Sequence, residues 1–240
     1  MRHQESKREF LHWSLEATAE ILVNRFGPDA LVVVVRPSEY YLDTFSIFRN
    51  FVACDQHSSP MFEIDTDKAW QQMDRIMEKV KAEVEAGAIG VEGIGSAFDT
   101  HPIALVGFSK GCAVLNQLIH EFTFIRERTS DAEIRSDLKT PLAVDRIFWL
   151  DGGHNGEADT WVTDRAVLKA FSDCYQNRPM KLHVHVTPYQ MNDPNRPQIK
   201  RHKLKFCEIV DSLGMALHDE THFRNQQCSI ETHFEVLTAF

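Results

Sequence analysis

The sequence predicts an α/β fold in which a mostly parallel sheet carries helices on both faces. Short apolar segments without polar alternation recur along the 240 residues, which is typical of strands buried on both sides. Amphipathic helical segments separate them, as in right-handed βαβ crossovers. Hydrophobic residues make up 43% of the chain, which is enough for a substantial core. We therefore expect residues 1–240 to form one domain.

The first predicted elements lie in the N-terminal third. A helix is expected over residues 10–26, followed by a buried strand at residues 31–35. Residues 37–65 are aromatic-rich but aperiodic, which predicts a long loop with one short helix. A second amphipathic helix is expected from Thr66 to Gly87, and a glycine-rich loop follows it.

Strands and helices alternate more regularly in the rest of the chain. Strands are expected at residues 103–107, 146–150, 182–187 and 215–217. Helices are expected from Gly111, over residues 163–171 and 198–213, and from Ile230. The highly charged residues 126–141 are expected to form an exposed excursion, a solvated loop rather than a contact surface.

Composition excludes several classes of protein. Lys and Arg number 26 against 35 Asp and Glu, so no basic excess exists to neutralise the phosphates of a nucleic acid. The longest apolar run, residues 30–35, is far shorter than the ~20 residues of a membrane span. The five cysteines are odd in number and contain no C-x-x-C pair, which favours reduced thiols and an intracellular location.

The pentapeptide Gly-Phe-Ser-Lys-Gly at residues 107–111 is the G-x-S-x-G pattern of a nucleophile elbow. An elbow places its serine in a strained turn between a strand and a helix, and small residues on either side avoid clashes. The predicted strand and helix stand where this turn requires them. Ser109 is therefore the candidate nucleophile, and the Lys110 backbone N–H is a candidate oxyanion donor.

A serine nucleophile needs a base and an acid that orients the base. Asp193 follows the fourth of the strands predicted to form the sheet and His222 follows the last, so we expect both at the sheet edge where Ser109 lies. Asp151 is the alternative acid, or else a loop-bracing carboxylate that accepts N–H groups from the glycines after it. His233 is the alternative base, but its place in the closing helix favours a packing or surface role.

A metal site receives weaker support from the sequence than the serine site. His183 and His185 share one strand face and could bind a metal with Asp151 or His154, but no third ligand falls at a recognised spacing. We expect these strand histidines to pack under a helix. Residues 218–222 resemble a zincin motif only superficially, because the glutamate stands one place late. The sequence predicts no metal and no organic cofactor.

Five segments carry a family resemblance: residues 105–118, 149–154, 160–163, 185–190 and 229–234. Through them, and from about residue 10 to the C-terminus, the chain resembles the uncharacterised family typified by the human chromosome 2 open reading frame 69 protein. The resemblance implies an α/β-hydrolase-like fold and a serine hydrolase or esterase acting on a small-molecule or acyl substrate. It also implies a mitochondrial location, with the cytoplasm as the alternative.

One departure from the family concerns the N-terminus. The resemblance implies one more strand, which precedes the first helix in the chain. In the sheet this strand would lie between the strands predicted at residues 31–35 and 103–107, and the loop after it would supply half of the oxyanion hole. Residues 1–9 cannot replace them, so we expect an N-terminally incomplete domain that lacks the oxyanion-loop strand. Two hypotheses follow. The chain hydrolyses an ester or thioester through Ser109, His222 and Asp193, or it is a non-catalytic protein that binds partners in mitochondrial homeostasis.

Overall fold

A computed structural model describes residues 13–42, 45–87, 101–128, 139–154, 156, 159–178 and 180–240. Its helices are α1 (Leu15–Phe26), α2 (Lys68–Glu85), α3 (Gly111–Arg128), α4 (Lys139–Ala143), α5 (Arg165–Cys174), α6 (Pro188–Met191), α7 (Pro197–Ser212) and α8 (Ile230–Ala239). Its strands are β1 (Glu39–Tyr41), β2 (Phe45–Ile47), β3 (Ala53–Cys54), β4 (Pro60–Met61), β5 (Ile103–Phe108), β6 (Val144–Leu150), β7 (Lys181–Val186) and β8 (Ala216–Thr221). The predicted alternation of strand and helix is confirmed from β5 onward.

The central sheet is parallel, with the strand order β5-β6-β7-β8. Side chains alternate between its faces, and β6 shows this most clearly. Ile147 and Trp149 join the larger hydrophobic core, whereas Phe148 and Leu150 join a smaller one. Because successive residues of a strand point to opposite faces, the two cores lie on opposite sides of the sheet. Helices therefore cover both faces.

The larger core contains buried residues of α2, α3, α5 and α7, and the smaller core contains residues of α1 and α8. Trp149, Leu182 and Phe206 are fully buried at the centre of the larger core. Leu22, Val236 and Phe240 build the smaller core. No described helix has the length and apolar character that a membrane crossing requires, and all five cysteines are free thiols.

The strand predicted at residues 31–35 is wrong, because these residues form no strand. Val32 packs against the smaller core and Val35 against the larger one. A strand also needs a neighbour for its backbone hydrogen bonds. Among the described residues, β5 pairs only with β6, so no strand offers residues 31–35 a partner in the sheet. Val33 is 39% exposed, so only part of the apolar run is packed.

Residues 37–65 also differ from their prediction. Instead of a loop with one short helix, they contain two antiparallel pairs, β1 with β2 and β3 with β4. Asp55 closes the second pair, because its Oδ1 accepts the His57 and Ser59 backbone N–H groups at 2.8 Å each. Strands of two or three residues are too short to show a period of two.

Two other predicted segments are only partly described. In the charged segment at residues 126–141, residues 126–128 belong to α3 and residues 139–141 to α4, so its described ends are helical rather than a loop. Residues 129–138 and the glycine-rich loop at residues 88–100 lie outside the described residues.

Candidate active site

Ser109 occupies the turn between β5 and α3 with a φ of 52°, the left-handed conformation that the pentapeptide predicts. Its backbone N–H donates to the Leu150 carbonyl at 2.9 Å. Gly107 allows the strand and helix to approach closely, since a Cβ there would lie 2.6 Å from Leu115 Cδ1 and 3.0 Å from the Gly111 carbonyl oxygen. The turn therefore presents a serine at the carboxyl end of β5, as a nucleophile elbow does.

Lys110 begins the turn into α3. Its backbone N–H donates to no other group among the described residues, and its role as an oxyanion donor stays a prediction. Its side chain points elsewhere: Nζ donates to the Ser58 carbonyl at 2.9 Å and to Ser58 Oγ at 2.7 Å. Partial burial lowers the pKa of this ammonium. The side chain thus ties the β3–β4 turn to the elbow.

Asp151 follows β6 directly, with a φ of 47° and a side chain that is 0% exposed. Its Oδ1 accepts the Thr187 N–H at 2.7 Å, and its Oδ2 accepts the Thr187 hydroxyl at 2.7 Å. The bracing partner is therefore the residue after β7, rather than the glycines that follow Asp151. Oδ2 also lies 2.7 Å from His233 Nδ1. The two alternative candidates of the sequence, Asp151 and His233, are bonded to each other.

His233 lies in the first turn of α8, whose N-cap is Ser229. Its ring centroid is 4.7 Å from that of Phe108, the residue before the elbow serine, and 4.5 Å from that of Tyr189. A packing or surface role alone does not describe this residue, because it is 3% exposed and bonded to a carboxylate. Helical spacing could have revealed it: His233, Val236, Leu237 and Phe240 form one buried i, i+3, i+4, i+7 stripe.

Asp193 and His222, the first choices from the sequence, make separate contacts. Asp193 lies beyond α6, where its carboxylate accepts Arg196 Nε at 2.7 Å and the Asn195 N–H at 2.9 Å. The Arg196 hydrogen bond lowers the pKa of this carboxyl group. His222 follows β8, and its Nε2 lies 2.9 Å from His185 Nδ1. Among the described residues the structure gives Asp193 and His222 no hydrogen bond to each other.

Comparison with known proteins identifies the family. The C2orf69 family model matches residues 1–86 and 68–216. Mitochondrial protein C2orf69 of Homo sapiens is 32% identical over an alignment 280 positions long, which covers 100% of this chain and 69% of the relative. The Mus musculus homolog is 31% identical, covering 100% of this chain and 73% of the relative. The chain belongs to the C2orf69 family.

A third member of the C2orf69 family, the Danio rerio homolog of the mitochondrial protein, is 32% identical. That alignment covers 95% of this chain and 65% of the relative, so the chain spans just under two thirds of it. The names of the three relatives support the mitochondrial location that the resemblance implies. No solved structure matches the chain.

This C2orf69 family member also carries a histidine cluster on β7 and β8, formed by His183, His185, His218, Glu220 and His222. The ring centroid of His185 lies 5.3 Å from that of His218 and 5.1 Å from that of His222. Burial, followed by the neighbouring imidazoles, lowers the pKa of His185 to about 4. The two further ligands considered from the sequence are engaged elsewhere: Asp151 is hydrogen-bonded to His233, and His154 Nδ1 accepts the Gly156 N–H.

Packing under a helix describes only part of the cluster. His183 stacks on Phe148 with a centroid distance of 4.3 Å, and His185 lies 5.8 Å from the Phe240 ring at the end of α8. His218 and Glu220 are instead open to solvent, with side chains 54% and 46% exposed. Sequence reasoning misses these two residues as neighbours of His185, because their proximity depends on the register of β8 against β7.

Proposed function

We propose that the chain is a serine hydrolase that cleaves an ester or thioester through Ser109, His233 and Asp151. The observation that carries the proposal is the 2.7 Å hydrogen bond between Asp151 and His233, whose side chains are 0% and 4% exposed. A fully buried carboxylate needs hydrogen-bond partners or a counter-charge to be tolerated. Here its partner is the residue type that most often serves as a general base.

Contacts between the loops support placing Ser109 with this pair. The Ser109 N–H donates to the carbonyl of Leu150, the residue immediately before Asp151. Phe108, the residue immediately before Ser109, has its ring against that of His233. Ser109 thus contacts the neighbour of Asp151 in the chain, and the neighbour of Ser109 contacts His233. Asp193 and His222 have no comparable link to each other among the described residues.

The pairing also defines the proton chemistry. A carboxylate at His233 Nδ1 holds the proton on that nitrogen and leaves Nε2 to accept one. In the proposed reaction, Ser109 Oγ forms a bond with the carbonyl carbon while its proton moves to His233 Nε2. The Lys110 N–H donates to the oxyanion that develops. Collapse then breaks the bond to the alcohol or thiol, which leaves with the proton from His233.

The resulting acyl-enzyme is hydrolysed by the same groups. Water gives a proton to His233 Nε2 as its oxygen adds to the acyl carbon, and the Ser109 oxygen leaves with that proton. Asp151 stabilises the imidazolium in both steps without itself being protonated. Given the names of the relatives, the proposed site of action is the mitochondrion.

The test is labelling of the purified chain by a fluorophosphonate probe, which reacts with activated serines. We expect the wild-type chain to be labelled and Ser109→Ala to lose the label. Ser172→Ala, which removes a serine hydroxyl from α5, should be labelled like the wild type. A folded wild-type chain that reacts no faster than Ser109→Ala would overturn the proposal and favour the non-catalytic alternative.

A further inference from the structure

We propose that His185, His218 and Glu220 bind a zinc ion beside β7 and β8. One ligand atom from each of the three side chains lies within 4.8 Å of those of the other two. The set shares no residue with Ser109, His233 and Asp151. Zinc binding would therefore be a property additional to the proposed hydrolase activity, and it can be tested separately.

Strand register brings the three residues together. In the parallel pairing of β7 with β8, His183 stands opposite His218 and His185 stands opposite Glu220. Residues two apart on a strand share a face, so all four side chains project from the same side of the sheet. This arrangement follows from the backbone ladder rather than from flexible loops. A site built on strands holds its ligands more precisely than one built on loops.

His185 supplies a second, independent observation. It is 3% exposed, and its Nε2 has no hydrogen-bond partner among the described residues. Leaving such a buried polar atom unsatisfied destabilises the folded chain, and a metal bond to Nε2 would remove this cost. The other nitrogen, Nδ1, lies 2.9 Å from His222 Nε2. Metal-binding histidines usually donate their second N–H to a carboxylate, a carbonyl or water, which fixes the tautomer and the ring orientation. Here His222 Nε2 would be the acceptor.

The remaining two ligands face solvent and approach each other. His218 Nε2 lies 3.2 Å from Glu220 Oε2. Glu220 brings a carboxylate to a site otherwise made of imidazoles. His222 lies behind the site, with Nδ1 3.9 Å from Glu220 Oε1. A metal would enter from the exposed side.

The donor set selects the class of metal. Two imidazoles and one carboxylate suit zinc, whereas magnesium and calcium prefer oxygen ligands alone. Three protein ligands with an open side leave a fourth position for water, the pattern of zinc sites that are not purely structural. We therefore expect one Zn²⁺ per chain and little competition from Mg²⁺.

Isothermal titration of the chelator-stripped, purified chain with ZnCl₂ tests the proposal. We expect a stoichiometry of about one, unchanged by excess MgCl₂. His218→Ala and Glu220→Gln should each weaken zinc binding by at least about ten-fold, and His222→Gln by about 10–100-fold through loss of the outer hydrogen bond. Matched controls are His57→Ala and Glu235→Gln, which change residues outside the cluster and should bind zinc like the wild type.

Two checks make the outcome decisive. Melting of His218→Ala and Glu220→Gln without metal should match the wild type, because both side chains are exposed. Co²⁺ should give the visible absorption of a four-coordinate ion in the wild type and lose it in His218→Ala. Wild-type binding by His218→Ala and Glu220→Gln, or no binding by the wild type, would overturn the zinc site. Ser109→Ala should retain the site, so its failure and that of the hydrolase proposal are distinguishable.

Discussion

His233 and His222 are both buried histidines near the carboxyl ends of the parallel strands, but they have different partners. His233 Nδ1 lies 2.7 Å from a carboxylate, and His222 Nε2 lies 2.9 Å from another imidazole. A carboxylate stabilises a positive imidazolium through its opposite charge, whereas a neutral imidazole offers only a hydrogen bond. The elbow end of the sheet, at Ser109 and Asp151, is thus suited to move a proton. The cluster end, at β7 and β8, is suited to hold neutral nitrogen ligands.

The largest expected effect separates the two candidate acids. Asp151→Asn should slow the labelling of Ser109 by about 10⁴-fold, because an amide does not hold the catalytic tautomer or stabilise the imidazolium. Asp193→Asn should leave the labelling rate within about two-fold of the wild-type rate, since the Asp193 carboxylate is paired with Arg196 rather than with a histidine. Rates measured with one fluorophosphonate probe under identical conditions give the comparison. A slow Asp193→Asn with a fast Asp151→Asn would return the acid role to Asp193.

The second prediction separates the two candidate bases. His233→Gln should slow Ser109 labelling by about 10²–10⁴-fold, the usual contribution of a general base. His222→Gln should change it little, because its imidazole is engaged with His185. A folded His233→Gln that reacts at the wild-type rate, together with a slow His222→Gln, would reverse the assignment of the two ends. Circular dichroism of each variant provides the control for folding.

The third prediction concerns acid stability and uses His154, three residues after Asp151. His154 is 4% exposed, and burial lowers its pKa from 6.5 to about 4, with Lys110 and His202 lowering it and Asp159 raising it. Below pH 6.5 the unfolded chain binds a proton that the folded chain does not, so the free energy of unfolding falls as the pH falls toward 4. The shift corresponds to about 3 kcal/mol for this group.

His154→Gln should therefore flatten the fall in unfolding free energy between about pH 7 and about pH 4, measured by urea titration at each pH. His57→Gln, at an exposed position, is the matched control and should keep the wild-type slope. Burial also lowers the pKa of His183 and His222, so some slope should remain. If His154→Gln keeps the full wild-type slope, the acid sensitivity belongs to the other histidines whose pKa is lowered, among them His120 and His185.

The sequence predicts the parts of the fold that depend on local pattern. β5 and β6 are recognisable because strands buried on both faces are apolar runs, and the elbow because its five residues are contiguous. β8 is predicted only over residues 215–217, because the rest of this strand is polar and partly exposed. The strand at residues 31–35 is wrong because strand formation depends on a neighbour, which a local pattern does not reveal. The pairs β1–β2 and β3–β4 escape prediction because they are too short to be periodic.

The sequence predicts the site as a set of candidates rather than as a geometry. Asp151 and His233 are both among the candidates, yet they stand 82 residues apart in the chain. Asp193 and His222 satisfy the same order along the chain, in which the serine comes first, the acid second and the histidine last. What distinguishes the pairs is the burial of Asp151 against Thr187 and the inward face of α8. Both depend on tertiary packing. Helical periodicity along α8 is the one sequence signal that favours a buried His233.

The smallest expected effect compares how tightly the two ends are packed. Gly107→Ala should lower the free energy of unfolding by about 1–3 kcal/mol. The new Cβ would lie 2.6 Å from Cδ1 of Leu115, a side chain that is 4% exposed, and 3.0 Å from the Gly111 carbonyl oxygen. Gly111→Ala is the matched control within the same pentapeptide. No atom lies within 4 Å of a Cβ at Gly111, so its stability should be unchanged or raised by up to about 1 kcal/mol.

At the cluster end, His218→Ala in the absence of metal should change the unfolding free energy by no more than about 0.5 kcal/mol, because the side chain is 54% exposed. Urea unfolding of the three variants at neutral pH measures the difference. A destabilised Gly111→Ala beside a stable Gly107→Ala would contradict the elbow packing. The expected order instead means that the strand side of the elbow, at Gly107, tolerates no added volume, because the backbones of β5 and α3 approach closely there to present Ser109. At the cluster end, His218 and Glu220 remain open to solvent.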